Sequence, residues 1–127
     1  MVYFREAAEA DLAAIVGLLA DDDLGKLRED DSLPLAQAYV DAFKAIAEDS
    51  NQVQCVAEID GQVVGTLQIT FIPGISHKGG WRGQIESVRV APSRRGAGVG
   101  QKFISWAVDQ CRAKGCRLVQ LTSDKSR

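Results

Sequence analysis

The chain has 127 residues, 46% of them apolar and 25% charged, with a formal net charge of −2. That length suits one domain, residues 1–127, with a core of its own, and the charge balance excludes bulk nucleic-acid binding, which needs a basic face. No apolar run approaches a membrane span, and the first residues lack the charged-then-apolar layout of a signal peptide, so a cytoplasmic protein is expected.

In chain order, residues 2–6 read as a first strand. Glu9-Ala10-Asp11 opens a helix in which Leu12, Ile15, Val16 and Leu19 recur at helical spacing. Residues 21–31 are acidic, broken by Lys26 and Arg28, and are expected to form a loop with room for a short helical turn. A second helix is expected from Pro34, with Ala36, Val40, Phe43 and Ala47 as its apolar stripe. Residues 52–59 alternate, placing Val53, Cys55, Ala57 and Ile59 on one face. Asp60-Gly61 is a two-residue hairpin signal, and residues 62–71 form the return strand.

Pro73-Gly74 and Gly79-Gly80 punctuate a long loop that carries His77, Lys78, Trp81 and Arg82. Residues 84–90 are the next strand, ended by Ala91-Pro92. A helix follows over residues 99–114, with Val99, Phe103, Ile104, Ala107, Val108 and Cys111 on its apolar face and Gly115 as its cap. Residues 117–122 are a last strand. The order is β-α-α-β-β-β-α-β. Cys55, Cys111 and Cys116 are an odd set without metal-ligand spacing and His77 is the single histidine, so free thiols and no metal are expected.

The chemistry concentrates in Arg94-Arg95-Gly96-Ala97-Gly98-Val99-Gly100. Small residues let a backbone come close to a ligand, the first N–H groups of a helix lack internal partners, and the helix dipole favours an anion. A glycine turn alone is often only a strand–helix connection. Here an apolar strand enters it through Ala91-Pro92, two arginines adjoin it, and a long amphipathic helix follows. The spacing Gly96-x-Gly98-x-Gly100 differs from the Gly-x-Gly-x-x-Gly dinucleotide fingerprint, and the turn comes after an antiparallel hairpin.

Arg95-x-x-Gly98-x-Gly100 matches the Gln/Arg-x-x-Gly-x-Gly/Ala signature, and the chain resembles the GNAT superfamily of acetyl-coenzyme A dependent N-acetyltransferases. The resemblance extends over Glu9-Ala10-Asp11-Leu12, the Asp60-Gly61-Gln62-Val63-Val64-Gly65 hairpin, residues 86–100, and residues 121–127. It implies an α/β (α+β) acyl-CoA N-acyltransferase fold, a mixed and mostly antiparallel sheet flanked by helices. It implies that backbone amides of Gly96, Gly98 and Gly100, with their neighbours Arg95, Ala97 and Val99, bind the coenzyme A pyrophosphate. The preceding strand would carry a bulge and splay from its parallel neighbour. Pantetheine would then pair with the main chain of Val88 and Val90, and the Val90 N–H would donate to the thioester carbonyl.

An amine must lose a proton before it attacks a thioester, and the oxyanion needs a fixed donor. Family members often carry an acid near Glu86. In a regular strand Glu86, Val88 and Val90 share one face, and a bulge would break that register. Two readings of Glu86 stand: a base or substrate-orienting group, or the partner of a neighbouring arginine. The acidic residues 21–31 are a solvated loop or an attractor for a cationic amine. Trp81 lines an acceptor pocket or packs the loop, and Trp106 belongs to the core or an interface. Arg112, Lys114 and Arg117 reach the adenosine phosphate or are surface charges.

The family continues past the strand at residues 117–122 with a helix, commonly bearing a tyrosine that protonates the departing thiolate, and a further strand. This C-terminal part is missing, and neither Tyr3 nor Tyr39 takes that place. Ser123-Asp124-Lys125-Ser126 would suit the start of a helix. The chain is therefore truncated, naturally short or completed by a partner. An uncovered last strand implies a homodimer through the C-terminal strand region. The function implied is acetyl transfer from acetyl-CoA to a primary amine, on a small molecule or a peptide, by direct attack in a ternary complex. The alternatives are a catalytically weak acyl-CoA binding or regulatory module, and an interaction domain without coenzyme. Arg95, Gly98 and Gly100 argue against the last.

Overall fold

The alternating segment in mid-chain folds as the hairpin at the centre of a five-stranded sheet. The computed structural model describes residues 1–122. Strands β2 (Gln52–Ile59) and β3 (Gln62–Ile72) are joined by Asp60 and Gly61, whose φ angles of 51° and 80° suit a hairpin turn that follows the strand twist. β1 (Val2–Glu6) pairs antiparallel with β2, β4 (Trp81–Val90) antiparallel with β3, and β5 (Cys116–Leu121) parallel to β4. The spatial order is β1-β2-β3-β4-β5. The sheet is mixed and mostly antiparallel, as the resemblance implies.

Helix α1 (Leu12–Ala20) follows a 3-10 turn at Glu9–Asp11, and α2 (Asp23–Arg28), α3 (Gln37–Glu48) and α4 (Val99–Ala113) complete the helices used below. One sheet face presents Cys55, Ala57, Leu67, Ile69, Phe71 and Ile85 to Val99, Phe103, Ala107 and Cys111 of α4. Phe4 of β1 stacks on Phe103 with ring centroids 5.1 Å apart, and Trp106 tilts against both rings. Trp106 thus belongs to the core margin. On the other face Val56 and Thr66 are buried, and α1 buries Leu12, Ile15, Val16 and Ala20 beside them. Farther along, that face turns polar, with Gln52, Gln54, Gln68, Thr70 and Gln84 half-buried.

Residues 21–31 hold a short helix, α2, for which the sequence left room: the Asp22 carboxylate caps it by accepting from the Gly25 N–H, with Asp23 in the first turn and Lys26 and Arg28 in the last. Other local expectations are corrected. Helix α3 starts at Gln37 rather than Pro34; it turns Tyr39, Val40, Phe43 and Ile46 inward and leaves Ala36 and Ala47 exposed. Strand β4 begins at Trp81, so Trp81 and Arg82 belong to it and not to the loop, held there by Ile72 on one side and Cys116 and Leu118 on the other. Ser123 to Ser126 lie outside the described residues.

Glycines at two points of the sheet lie under α4. A Cβ at Gly83 of β4 would overlap the Cys111 side chain, and one at Gly65 of β3 would stand 3.5 Å from the Phe103 ring and 3.2 Å from the Arg89 carbonyl. Gly83→Ala should therefore destabilise the protein by ~1–3 kcal/mol through overpacking, read as a lower Tm, with Cys111→Ala restoring part of the loss.

At the other end of the chain, Arg5 forks onto Asp11 at 2.8 and 3.0 Å and onto Glu58 at 2.8 and 3.0 Å, while Asp11 also accepts from the Ala8 N–H at 2.7 Å. The Arg5 guanidinium holds the Asp11 carboxyl below the usual carboxylate range. A carboxyl depressed in the folded state stabilises above its unfolded pKa and loses that effect as pH falls through its folded value. Asp11→Asn should cost ~1–2 kcal/mol at neutral pH, and denaturation curves should show the gap to the parent protein closing on acidification through and below pH ~4.

Candidate active site

After β4 the chain makes a short 3-10 turn at Pro92–Arg94 and then bends through Gly96 and Gly98, at φ 83° and 81°. These left-handed conformations favour glycine. Gly98 is the N-cap of α4 and offers no side-chain acceptor, so the N–H groups of Val99, Gly100 and Gln101 lack helical partners; the ladder begins with Lys102 N–H donating to the Gly98 carbonyl at 3.1 Å. Val90, Arg94, Arg95, Gly96, Gly98, Val99, Gly100 and Gln101 line a cavity of about 380 Å³. Ala97 does not line it. Orphan amides, a helix N-terminus and two arginines around one cavity fit a phosphate group.

Next to this cradle β4 is bulged. Ser87 has φ 55°, and β4 advances from Glu86 to Arg89 while β3 advances only from Gln68 to Thr66. The extra residue inverts the alternation. Glu86, Val88 and Val90 therefore do not share a face. Glu86 stays with Gln84 on the polar face, while Val88 and Val90 pack toward the α4 core. The Val90 Cγ2 stands 3.6 Å from where a Gly100 Cβ would lie, so the bulged strand end and the cradle adjoin.

Within the described residues, the pairing of β4 with β5 reaches as far as Ile85, just before the bulge. The parallel register runs from Trp81↔Cys116 to Ile85↔Leu121, with a last bond from Thr122 N–H to the Ile85 carbonyl at 3.0 Å. Among the described residues nothing pairs with the outer edge of β4 beyond that point. Val90 faces Gly65, and the Ala91 N–H donates to the Val64 carbonyl at 2.7 Å. In an antiparallel ladder this makes Val90 a residue of a non-hydrogen-bonded pair, whose own N–H and C=O point outward. The carbonyl accepts from Arg95 Nε at 3.2 Å. The Val88 carbonyl accepts from Arg89 Nη1 at 2.9 Å.

Glu86 is half-buried and accepts from Gln84 Nε2 at 3.1 Å, and Gln84 in turn accepts from Gln120 Nε2 at 3.3 Å. Its hydrogen-bond partner is an amide and not an arginine. Arg89 instead lies 3.5 Å from the Asp22 carboxylate, tying the turn before α2 to β4. Gln84 was legible in principle, since it stands two residues before Glu86 on one strand face. Gln120 was not, because only the parallel register brings it alongside.

The remaining candidates take structural places. Arg112 and Lys114 sit at the far end of α4, ~20 Å from the cradle; Arg112 pairs with Asp109 at 3.7 Å, and Lys114 reaches the Ser50 carbonyl and lies over the Phe71 ring. Arg117 donates to the His77 carbonyl at 2.8 Å. Tyr39 donates to Glu29 and accepts from the Asp30 N–H, each at 2.9 Å, and Tyr3 is exposed on β1. His77, Lys78, Trp81, Arg82 and Arg117 border a wider cavity of about 860 Å³ where β4 and β5 begin. Burial pushes the Cys55 and Cys111 thiols up to about 12 and about 11. Among the described residues no group of acids, cysteines and histidines is arranged to hold a metal, and no helix is long and apolar enough to cross a membrane.

Comparison with known proteins gives the family. The family model described as "Acetyltransferase (GNAT) family" matches residues 18–127. The chain belongs to this family. It is 31% identical, over 72% of its length and 58% of the relative's, to an aminoalkylphosphonate N-acetyltransferase of Salmonella typhimurium. It is 38% identical, over 51% of its length and 44% of the relative's, to a glucosamine 6-phosphate N-acetyltransferase of Trypanosoma brucei brucei. The chain thus spans about half the length of these curated relatives. The crystal structure of a transcriptional regulator from Bacillus halodurans C-125 superposes with a TM-score of 0.96 at 45% identity, covering 100% of this chain and 85% of that one. GNAT enzymes use acetyl-CoA.

Proposed function

We propose that residues 1–127 form a single N-acetyltransferase domain, moving an acetyl group from acetyl-CoA to a primary amine by direct attack in a ternary complex. One observation carries this reading. The anion cradle at Arg95 to Gly100 abuts the outer edge of β4, where among the described residues nothing pairs with the Val90 N–H. The pyrophosphate binds at Arg95, Gly96, Gly98, Val99 and Gly100, with Ala97 completing the turn behind them. Pantetheine lies along the edge against Val88 and Val90.

The Val90 N–H donates to the thioester oxygen and follows it as it becomes the oxyanion. The acceptor approaches from the polar sheet face. Glu86 takes a proton from its ammonium, the nitrogen lone pair forms the C–N bond, and collapse of the tetrahedral intermediate breaks the C–S bond; the nitrogen sheds its second proton to solvent, and the departing thiolate takes up one in turn. The bulge serves this division of labour: it sets the oxyanion donor at the strand edge and the carboxylate on the neighbouring face.

The named activities of the two curated relatives support a small-molecule amine as acceptor, and amines bearing a phosphonate or phosphate are the first to test. The reading places the enzyme in the cytoplasm. It makes the edge of β5, where Leu118 and Leu121 are about half exposed, the surface for a homodimer. A second reading, an acyl-CoA binding regulatory module, draws on the likeness to the Bacillus halodurans protein described as a transcriptional regulator. Coenzyme A release on adding amines separates the two: turnover supports the enzyme, and binding without turnover supports the module.

Gly100 gives a clean test of the cradle. A side chain there meets only the Val90 methyl at contact distance and no left-handed strain. A glutamate in the first helical turn suits the helix dipole yet repels an anion. Gly100→Glu should keep or raise the Tm and weaken coenzyme A binding by ~10-fold or more in calorimetry, by P–O repulsion of a few kcal/mol at short range; unchanged affinity would move the phosphate elsewhere. Glu86→Gln keeps size and removes charge. It should lower kcat by ~10²–10⁴-fold with acetyl-CoA affinity intact, and full activity would make Glu86 structural.

A further inference from the structure

We infer that Gln84 and Gln120 are positioning residues for Glu86, an amide relay that aims the carboxylate at the acceptor amine; this rests on the base role given to Glu86 above. Gln84 and Glu86 share the polar face of β4, and Gln84 and Gln120 are directly paired across the parallel β4–β5 ladder. Gln120 Nε2 donates to Gln84 Oε1 at 3.3 Å, and Gln84 Nε2 donates to Glu86 Oε1 at 3.1 Å.

The chain has a direction. An amide has its donors on one side and its acceptor on the other, so the acceptor-only carboxylate draws the NH₂ of Gln84, and the Gln84 oxygen is left to accept from Gln120. Turning Gln84 over would set its oxygen against Glu86 and its NH₂ against the NH₂ of Gln120. Other neighbours do not take this role. Gln68 stands opposite Glu86 on β3, but its Nε2 donates to Gln52 Oε1 at 2.6 Å. Arg89, on the same face after the bulge, donates to the Val88 carbonyl and pairs with Asp22. Gln84 is thus the side chain that holds one oxygen of Glu86, leaving the other for the amine.

The relay explains why an uncharged pair occupies this place. A lysine or arginine at position 84 would hold the carboxylate as a salt bridge and compete with the ammonium of the acceptor. An amide orients the group without neutralising it. Gln120 brings β5 into the catalytic apparatus, although no β5 side chain needs to touch the substrate.

The test is a set of kinetic cycles on the whole chain, with acetyl-CoA and a panel of 2-aminoethylphosphonate, glucosamine 6-phosphate and a lysine-bearing peptide. Gln84→Met keeps the length of the side chain and removes the amide. It should lower kcat by ~10–100-fold while KM for acetyl-CoA and the Tm stay close to the parent's, because misdirection of a reacting group by about an ångström has that scale. Gln120→Met should give a smaller loss of the same kind. Gln84→Met added to Glu86→Gln should cost nothing further, since the relay acts only through the carboxylate.

Multiplying losses in that double variant would overturn the relay by showing that Gln84 acts elsewhere. A large loss in Glu86→Gln with none in Gln84→Met would also overturn it and leave the base role standing. Full activity in Glu86→Gln, or no turnover with any amine, would remove the reading of Glu86 and the relay with it. In ¹⁵N-labelled protein without substrate, the Gln84 side-chain amide signals should move in Glu86→Ala and those of Gln120 in Gln84→Met; unmoved signals would overturn the relay independently of activity.

Discussion

The close seat of helix α4 on β3 and β4 is the constraint on which the site depends. Cys111 rests against Gly83 at a distance a Cβ would forbid, and Phe103 lies over Gly65, where a Cβ would just fill the contact. Contacts at two points along a helix fix its direction as well as its depth. Its N-terminus consequently arrives beside Val90, and four turns of helix dipole end at the glycine cradle. A looser seat would leave the same glycine turn in the sequence and no defined relation between its amides and the end of β4.

The second constraint is the bulge at Ser87. A single extra residue does two things at once. It turns Val88 and Val90 toward the α4 core and leaves Glu86 on the polar face. An oxyanion donor at an edge and a carboxylate on a face are geometrically independent, so a thioester and an amine can approach from different directions. Had the strand stayed regular, the carboxylate and both valines would compete for one surface. The polar face itself is unusual for a sheet flanked by helices, and its amides bond to one another and to Thr66 and Glu86 beside them. Such mutual satisfaction keeps a half-buried polar surface from a desolvation penalty.

Charge in this chain is mostly local structure. The acidic run at residues 21–31 reads as a single electrostatic feature, yet Asp22 caps a helix and meets Arg89, Glu29 and Asp30 hold Tyr39, and Asp30 also closes a turn on Ser32. The basic residues after α4 divide in the same way, with Lys114 on Phe71 and Arg117 on a carbonyl. A run of like charges along a sequence says little about a field, because neighbours in the chain take partners in different directions.

Features with a short-range cause were legible in the sequence alone. The Asp60-Gly61 turn, the glycine turn and the amphipathic helix after it each depend on φ preferences or on a period within one element. The motif Arg95-x-x-Gly98-x-Gly100 located the cradle because orphan amides at a helix start are a local property. What needed the tertiary structure was every relation that crosses elements. The bulge appears only when β4 is paired with β3. The start of β4 at Trp81 is hidden by Gly79-Gly80 and is decided by partners on both sides. The separation of Glu86 from Val90, and the contact of Gln84 with Gln120, follow from register, which a chain acquires only by packing against itself.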